Sequence, residues 1–393
     1  MIFDYKGRRL TVADEKTACA VAEGLGADAI GFNCGLGPKQ MIPLVEELEK
    51  CCSTPIIVMP NAGLPESVDG KTIYNVDPAE FADYMKQIAE MGVSLLGGCC
   101  GTTPEHIKAM IDATKDIPDK VPSFKTDTLV TSYSQCVDIS DIVVIGERIN
   151  PTGKKLLKEA LRNKDMDYIL REGITQKDAG AHILDVNMGL PEIDEEEMLC
   201  KSVFELQSVL PTPLQLDSSD AKAMESALRI YNGKAMINSV NGKEKCMKEI
   251  FPLAKKYGGV VVCLCLDEDG IPSTAEGRIA IAEKIINTAK EYGIDKKDLV
   301  VDALTMTIST DKNNSVETLK AVDYIRHTLG VNTVLGVSNI SFGLPNREAI
   351  NTAFYTLAMN AGLSAGIINP KSKSMMNAFY SYKALAGLDD NCE

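Results

Sequence analysis

The sequence predicts an α/β protein with a complete (β/α)8 TIM barrel preceded by a partial βα barrel. Two observations lead to this fold class. Short apolar strands alternate with helical stretches eight times between residues 141 and 385, and the same alternation occurs three times before residue 118. Eight units in regular alternation favour a closed parallel sheet over an open, doubly wound sheet. The predicted boundaries are therefore a first domain at 1–118, a linker at 119–140, a barrel at 141–385, and the start of a further linker at 386–393.

The first block is ambiguous up to residue 12 and then shows three strand–helix units. The predicted strands cover residues 27–34, 55–60 and 93–98, and the helices that follow them cover residues 38–51, 78–91 and 104–114. Three or four units cannot close an eight-stranded barrel. We expect either half of a barrel or a sheet whose exposed edges are covered by something else. Residues 119–140 are rich in Asp, Pro, Lys, Ser and Thr, which is typical of a linker.

The second block supplies the eight strands of the barrel. They are predicted at residues 143–150, 182–187, 213–217, 235–240, 260–266, 299–304, 333–339 and 364–369. The helices between them carry ordinary end signals; residues 220–231, for example, begin at an aspartate and stop before Gly233. The seventh strand turns polar at Ser338-Asn339, where an apolar barrel interior gives way to loops that bind ligands.

Composition excludes several classes of function. The formal net charge of −14 argues against nucleic acid or an anionic membrane as the main partner. No apolar run approaches the roughly 20 residues of a spanning helix, and the amino terminus has no signal-peptide core. We therefore expect a cytoplasmic protein whose twelve cysteines are reduced.

Three of these cysteines stand at predicted strand ends. Cys34 ends the first strand, and Cys99-Cys100 follow the third strand between glycines that let two adjacent thiols face one point. Three thiolates at one rim would form a zinc site with an open fourth position, as in catalytic sites. The alternative is that cysteine is simply common in this chain, since Cys51-Cys52 is another adjacent pair without that context. A thiol bound at the open position would become a thiolate nucleophile, so alkyl transfer to sulfur is the expected chemistry.

Polar residues also end six of the eight barrel strands. A single Asp, Asn or Ser there is usually a helix cap, and Asp220 is assigned to that role. Six such ends in phase around one barrel mouth favour a ligand site for a flat heterocycle, because a carboxylate accepts two parallel N–H bonds. A nucleotide phosphate is disfavoured, since neither standard glycine-rich loop is present. The residues at these six ends include Asn150, Asp185, Asn187, Asp217, Asn238, Asp302 and Asn339.

These residues carry a resemblance to a known family. The runs 146–153, 185–187, 216–219, 238–239 and 336–343, with Asp302, resemble the pterin-binding domain of cobalamin-dependent methionine synthase and of methyltetrahydrofolate:corrinoid protein methyltransferases. The first block resembles the carboxyl-terminal half of the homocysteine-binding barrel of methionine synthase. Cys34, Cys99 and Cys100 stand on that family's three zinc-ligand positions, and Asn61-Ala62-Gly63-Leu64-Pro65 fits as well.

The resemblance implies a methyltransferase of one-carbon metabolism. Methyltetrahydrofolate would be the substrate, zinc would serve homocysteine in the first block, and cobalamin would be supplied by a partner or by a further domain. By analogy with the family, Asn339 lies near N5 and is catalytic, while Asp217, Asn238 and Asp302 hold the pterin. Asn150, Asp185 and Asn187 complete the floor of the site in the same analogy.

The sequence also departs from the family. The amino-terminal half of the homocysteine barrel and the Asp-x-His-x-x-Gly signature of a cobalamin domain are not found in it, so we expect a fragment or a reduced relative. A non-catalytic protein that binds folate or docks a corrinoid protein is therefore one alternative. Dihydropteroate synthase is another, but that family has a Ser-Arg-Lys run where this chain has Ser338-Asn339-Ile340.

Overall fold

The computed structural model describes residues 1–2 and 13–389, and the ambiguous opening up to residue 12 and the end of the segment 386–393 lie outside this part. The chain forms two compact units. The smaller contains Met1–Lys125 and Tyr133–Gln135, and the larger contains Thr126–Ser132 and the chain from Cys136 onward.

The smaller unit is built on a three-stranded parallel sheet in the order β1-β2-β5. Its elements in chain order are α1 (Glu15–Gly24), β1 (Ile30–Asn33), α2 (Pro38–Cys51), β2 (Ile56–Met59), β3 (Glu66–Val68), β4 (Lys71–Ile73), α3 (Pro78–Met91), β5 (Leu95–Leu96) and α4 (Pro104–Thr114). The three predicted strand–helix units are present, which confirms a partial βα barrel. The exposed hairpin β3–β4 was not predicted.

Local sequence explains where these helices begin and end. The carboxylate of Asp77 accepts hydrogen bonds from the amides of Ala79 at 2.9 Å and Glu80 at 3.0 Å, so α3 starts directly after it. The helix ends at Gly92, whose φ of 113° is a left-handed conformation that other residues rarely adopt. The apolar faces of α2 and α3 then pack around Phe32, Leu48 and Phe81.

The larger unit is a closed barrel of eight parallel strands, which confirms the predicted (β/α)8 fold. Closure is direct, since the last strand pairs with the first from Ala365 with Val143 to Ile368 with Gly146. The strands are β8 (Val143–Ile149), β9 (Ile183–Asn187), β10 (Leu214–Asp217), β11 (Met236–Asn241), β12 (Val260–Leu264), β13 (Leu299–Asp302), β14 (Asn332–Gly336) and β15 (Ala365–Ile368). The helices are α5 (Lys155–Arg162), α6 (Met166–Asp178), α7 (Glu195–Val209), α8 (Ala221–Ile230), α9 (Glu244–Tyr257), α10 (Ala275–Glu291), α11 (Asn314–Tyr324), α12 (Arg347–Asn360) and α13 (Lys373–Leu385).

Part of the predicted linker is structured. Two short antiparallel strands, β6 (Leu129–Thr131) and β7 (Cys136–Asp138), form a hairpin before the barrel. Val130 and Ile139 from this segment are fully buried in one apolar cluster with the barrel residues Val143 and Ile145. The barrel unit therefore starts near Thr126, because these side chains complete its interior.

The seventh strand is shorter than predicted. β14 ends at Gly336, and residues Val337–Ser341 form a 3-10 helix. Val337 and Ile340 are both buried, and their spacing of three residues is the period of such a helix. The apolar run therefore continues past the end of the strand, and Asn339 lies on a turn above it.

Within the described ranges 1–2 and 13–389, no helix has both the length and the apolarity needed to cross a membrane.

Candidate functional site

Four polar side chains point into the barrel near its carboxyl-terminal end because of strand alternation. Asp185 and Asn187 are two residues apart on β9, and Gln215 and Asp217 are two apart on β10, so each pair faces one side of the sheet. The strand register places Gln215 beside Asp185 and Asp217 beside Asn187. The site therefore begins as two layers of polar residues above the apolar interior.

Hydrogen bonds join these layers into one floor. The amide of Asn150 donates to Asp185 Oδ2 at 3.4 Å and to Asp217 Oδ2 at 3.3 Å. Gln215 Nε2 donates to Asp185 Oδ1 at 2.7 Å. Asn238 also hydrogen-bonds Asp185, and Asn187 hydrogen-bonds Asp217. Five of the seven predicted residues thus lie together.

The two carboxylates of this floor are held in an environment that disfavours their charge. Burial raises the pKa of Asp185 to about 6, although hydrogen bonds from Gln215, Asn150 and Asn238 and the charge of Lys154 oppose the rise. Burial and the neighbouring charge of Asp185 also raise the pKa of Asp217. Hydrogen bonds donated by a ligand would stabilise the ionised form of both carboxyl groups, so both groups can act as acceptors for a ligand.

Asp302, at the end of β13, is a third buried carboxyl group on the same rim. Burial raises its pKa to about 7, and one of its oxygens accepts a 2.7 Å hydrogen bond from the Leu304 amide. The buried guanidinium of Arg278 donates to the carbonyl oxygens of Ala303 at 3.2 Å and Leu304 at 3.0 Å, so it fixes this turn. Arg278 therefore positions Leu304, whose amide orients Asp302.

Asn339 is exposed at the mouth, on the 3-10 turn after β14. Gly336 leaves it room, since a Cβ atom at position 336 would lie 3.1 Å from Asn339 Nδ2. Within residues 1–2 and 13–389 we find no hydrogen bond from Asp302 or Asn339 to the six residues of the floor. These two residues complete the rim without joining that network.

Sequence reasoning missed Gln215, Lys154 and Arg278. Gln215 is fully buried in the middle of β10, but its spacing of two residues from Asp217 could have placed it inward. Lys154 is half-buried, and burial lowers its pKa while the charges of Glu147 and Asp185 raise it. No sequence pattern marked Lys154 or Arg278, because their importance depends on distant carboxyl and carbonyl groups.

The smaller unit brings the three predicted thiols together. Cys34 Sγ lies 3.7 Å from Cys100 Sγ, which lies 3.9 Å from Cys99 Sγ. The loops are joined by backbone bonds: the Cys34 amide donates to the Met59 carbonyl and the Cys99 amide to the Pro60 carbonyl. Cys34 has a φ of 64°, a left-handed conformation that turns its thiol toward the other two.

The thiols differ in acidity. Burial raises the pKa of Cys34, but hydrogen bonds from the Gly35 amide, Cys100, Cys99 and Asn61 outweigh it and lower the pKa below the usual range. Burial and hydrogen bonds with Cys34 and Cys100 raise the pKa of Cys99. Asn61 is buried, and its side-chain oxygen also accepts a bond from the Cys100 amide at 3.1 Å. It therefore orients two of the three thiols.

The spacing of the thiols fits a zinc ion. A Zn–S bond of about 2.3 Å with tetrahedral angles places neighbouring sulfurs about 3.8 Å apart. The two measured separations are 3.7 and 3.9 Å, and all three sulfurs lie within 4.8 Å of one another. Three protein ligands would leave the fourth position for a substrate.

Comparison with known proteins gives consistent matches in both units. The pterin binding enzyme family model matches residues 146–369, and the homocysteine S-methyltransferase model matches residues 4–114. Methionine synthase of Mycobacterium tuberculosis is 34% identical over 402 residues, covering 98% of this chain and 34% of that protein. Methionine synthase of Mycobacterium leprae is 34% identical over 406 residues with the same coverage. The chain thus spans about a third of the length of these relatives.

Solved structures share the barrel fold. A dihydropteroate synthase of Xanthomonas albilineans, in complex with indole-2-carboxylic acid and 6-chloroguanine, aligns with a TM-score of 0.53 at 17% identity, over 67% of this chain and 100% of that one. A Yersinia pestis dihydropteroate synthase with a pterin-sulfa conjugate aligns with the same score and identity, over 66% and 99%. At this identity the likeness is one of fold alone.

Proposed function

The chain belongs to the pterin-binding enzyme family, and from this premise we propose that its barrel binds methyltetrahydrofolate and passes the N5 methyl group to a Co(I) corrinoid. The observation that carries the proposal is the floor of buried carboxyl groups and amides at the barrel mouth. A reduced pterin presents an edge of N–H donors, and a carboxylate accepts two of them in parallel. The match to methionine synthases over 98% of the chain supports folate as the source of this ring.

The seven residues take different roles in this proposal. Asp217, Asn238 and Asp302 hold the pterin ring, while Asn150, Asp185 and Asn187 form the part of the floor beneath it. Asn339 is assigned to N5 by the resemblance to the family, and its exposed amide on the turn above the floor is accessible to a ligand. The amide can rotate to donate or to accept, so it follows the changing charge on N5.

The transfer requires a proton at N5. The methyl group leaves N5 while an electron pair of the Co(I) acceptor forms the new bond, so N5 keeps the electrons of the broken bond. A strongly basic nitrogen is a poor leaving group until it gains a proton or a strong hydrogen bond. An asparagine cannot supply that proton, so water or a hydrogen-bonded network delivers it. The chain contributes mainly by positioning the reactants.

The smaller unit serves the other half of a methionine synthase-type system in this proposal. Cys34, Cys99 and Cys100 would hold Zn²⁺, and their sulfur separations support this assignment. The bound ion would lower the pKa of a substrate thiol such as that of homocysteine. The corrinoid would come from a partner or a further domain, through an interface small enough to form and release during turnover. None of the eleven cysteines in the described part forms a disulfide, which supports a cytoplasmic location.

The assignment of roles can be tested with two variants and one control. Asn339→Ala should lower turnover with methyltetrahydrofolate and free cob(I)alamin more than it lowers folate affinity. Asp217→Ala should weaken folate binding by about 1–3 kcal/mol, the usual cost of losing a charged hydrogen bond. Asp178→Asn changes an exposed carboxylate at the end of α6 and should alter neither quantity. Affinity is measured by titration calorimetry and turnover by loss of the Co(I) absorbance.

Equal losses of affinity in both variants with unchanged turnover would contradict these roles. Folate binding without any transfer would instead favour a non-catalytic folate-binding protein. Dihydropteroate synthesis remains the weaker alternative, since its support is a likeness of fold.

A further inference from the structure

A second group of thiols lies in the smaller unit, and we call it the Cys19 cluster: Cys19, Glu23, Cys51 and Cys52. Cys19 and Glu23 are four residues apart on α1 and therefore share one face of that helix. Cys51 is the last residue of α2, and Cys52 follows it. These positions precede β1 and β2, whereas Cys34 follows the other end of β1. The cluster is thus a separate site at the amino-terminal end of the strands.

The ligand atoms of this cluster converge. The sulfurs of Cys19 and Cys52 and a carboxylate oxygen of Glu23 all lie within 4.8 Å of one another. Cys52 Sγ is 3.6 Å from Glu23 Oε1. Sulfur and oxygen ligands on one tetrahedral Zn²⁺ would be about 3.5 Å apart. The Cys19 thiol also lies within hydrogen-bonding reach of the Cys51 thiol. The Cys51 sulfur is not part of the converging group, since it is directed at the carbonyl oxygens of Glu47 and Leu48.

The carboxylate is oriented by its own partners. Glu23 Oε1 accepts hydrogen bonds from the Ser53 amide at 2.5 Å and from the Thr54 hydroxyl at 3.0 Å. Carboxylates that bind metals are usually held in this way by neighbouring donors. Both α1 and α2 end at the cluster, and the carboxyl-terminal ends of helices favour a cation.

We propose that Cys19, Glu23 and Cys52 form a second metal site, which binds one thiophilic divalent cation of the Zn²⁺ class in a buried, structural coordination. Cys19 and Cys52 are only 1% and 2% exposed, which suits a structural ion. A disulfide would use two of the thiols and would not account for a hydrogen-bonded carboxylate directed at them. The ion would tie the end of α1 to the end of α2 and so stabilise the sheet that carries Cys34.

The test is a zinc count on the full chain, reduced under anaerobic conditions, stripped with a chelator, reconstituted with Zn²⁺ alone and dialysed. We expect two zinc ions per chain for the unchanged protein and one for the double variant Cys99→Ser/Cys100→Ser. Cys52→Ser alone should also hold one, and its remaining zinc shows that the unit is folded. A variant that combines Cys52→Ser, Cys99→Ser and Cys100→Ser should hold no zinc. Cys200→Ser, which changes a half-buried thiol on α7, is the matched control and should retain two.

Co²⁺ gives a second readout that does not depend on the count. In the Cys99→Ser/Cys100→Ser protein, one Co²⁺ per chain should produce thiolate charge-transfer absorption and the intense visible bands of a tetrahedral site, and Glu23→Gln should change the visible bands. One zinc in the unchanged protein with none in the double variant would overturn the proposal. In the Cys99→Ser/Cys100→Ser protein, a zinc that remains after Cys19 and Cys52 are also replaced by serine would overturn it as well. So would a Cys19 disulfide in the reduced protein without metal uptake.

Discussion

Replacing Asp302 with asparagine should weaken ligand binding and stabilise the free barrel at the same time. Burial raises the pKa of this carboxyl group from 3.8 to about 7, so the folded protein binds its proton more tightly than the unfolded chain does. Between these two pH values the free energy of unfolding falls as pH rises, because the folded state holds more protons. At 1.36 kcal/mol for each pKa unit, the ionised carboxylate costs at most about 4 kcal/mol above pH 7. Asparagine removes this cost and keeps an oxygen for the Leu304 amide.

The expected signs are opposite for stability and for affinity. At pH 8, Asp302→Asn should unfold at a higher temperature, by about 2–4 °C for each kcal/mol gained. The gain should shrink to less than about 2 kcal/mol at pH 5, where the natural side chain is already mostly protonated. Binding of methyltetrahydrofolate at pH 8 should weaken by about 1–3 kcal/mol, because a charged acceptor is lost. Scanning calorimetry of the barrel transition and titration calorimetry measure the two effects.

The control for this experiment is again Asp178→Asn, on the exposed end of α6. Its stability should follow that of the unchanged protein in parallel from pH 5 to pH 8. The reasoning would be refuted if Asp302→Asn lowered the unfolding temperature at pH 8, or if its gain were the same at both pH values. Unchanged folate affinity would refute the assignment of Asp302 to the pterin site.

Three further predictions follow from the same contacts. Folate affinity should be steady above about pH 8 and fall as pH decreases through 7 and 6. Asp302 and Asp185, with pKa values of about 7 and about 6, must lose their protons before they can accept hydrogen bonds from the ring. Titration calorimetry in matched buffers measures this change. Gly336→Ala should reduce turnover more than folate affinity. The added Cβ atom would lie only 3.1 Å from Asn339 Nδ2 and would push this amide out of place. An equal loss of turnover and affinity would contradict the role of Asn339. Asn61→Ala should weaken zinc binding at Cys34, Cys99 and Cys100, since it removes a hydrogen bond that lowers the pKa of Cys34. Zinc affinity is measured by competition with a chromophoric chelator, and an unchanged affinity would contradict this account.

The regular part of the fold could be predicted because hydrophobic alternation is a local property. Each barrel strand is a short apolar run between helices, so its presence could be predicted from its own residues and its direction from the helix that follows. The polar ends of these strands also predicted the floor residues, since the carboxyl ends of parallel strands meet at one rim. The structure places Asn150, Asp185 and Asp217 in one hydrogen-bonded group, as that geometry requires.

Features that depend on distant partners could not be predicted in this way. Val130 and Ile139 are apolar residues in a segment of linker-like composition, and they are buried because they pack in one cluster with residues of the barrel interior. The extension of the seventh strand to Asn339 was wrong, because a 3-10 turn buries Val337 and Ile340 as well as a strand would. Cys19 and Cys51 are separated by 32 residues, so nothing in the sequence joined them to Glu23.

Single-turnover methyl transfer by the full chain decides whether the barrel is an enzyme in its own right. The protein, loaded with methyltetrahydrofolate, is mixed anaerobically with free cob(I)alamin, and the Co(I) absorbance is followed in a stopped-flow instrument. Our account predicts that one Co(I) is lost for each folate demethylated, without homocysteine and equally in the Cys99→Ser/Cys100→Ser variant. Saturating folate binding with a Co(I) signal that decays no faster than in the absence of protein would contradict it.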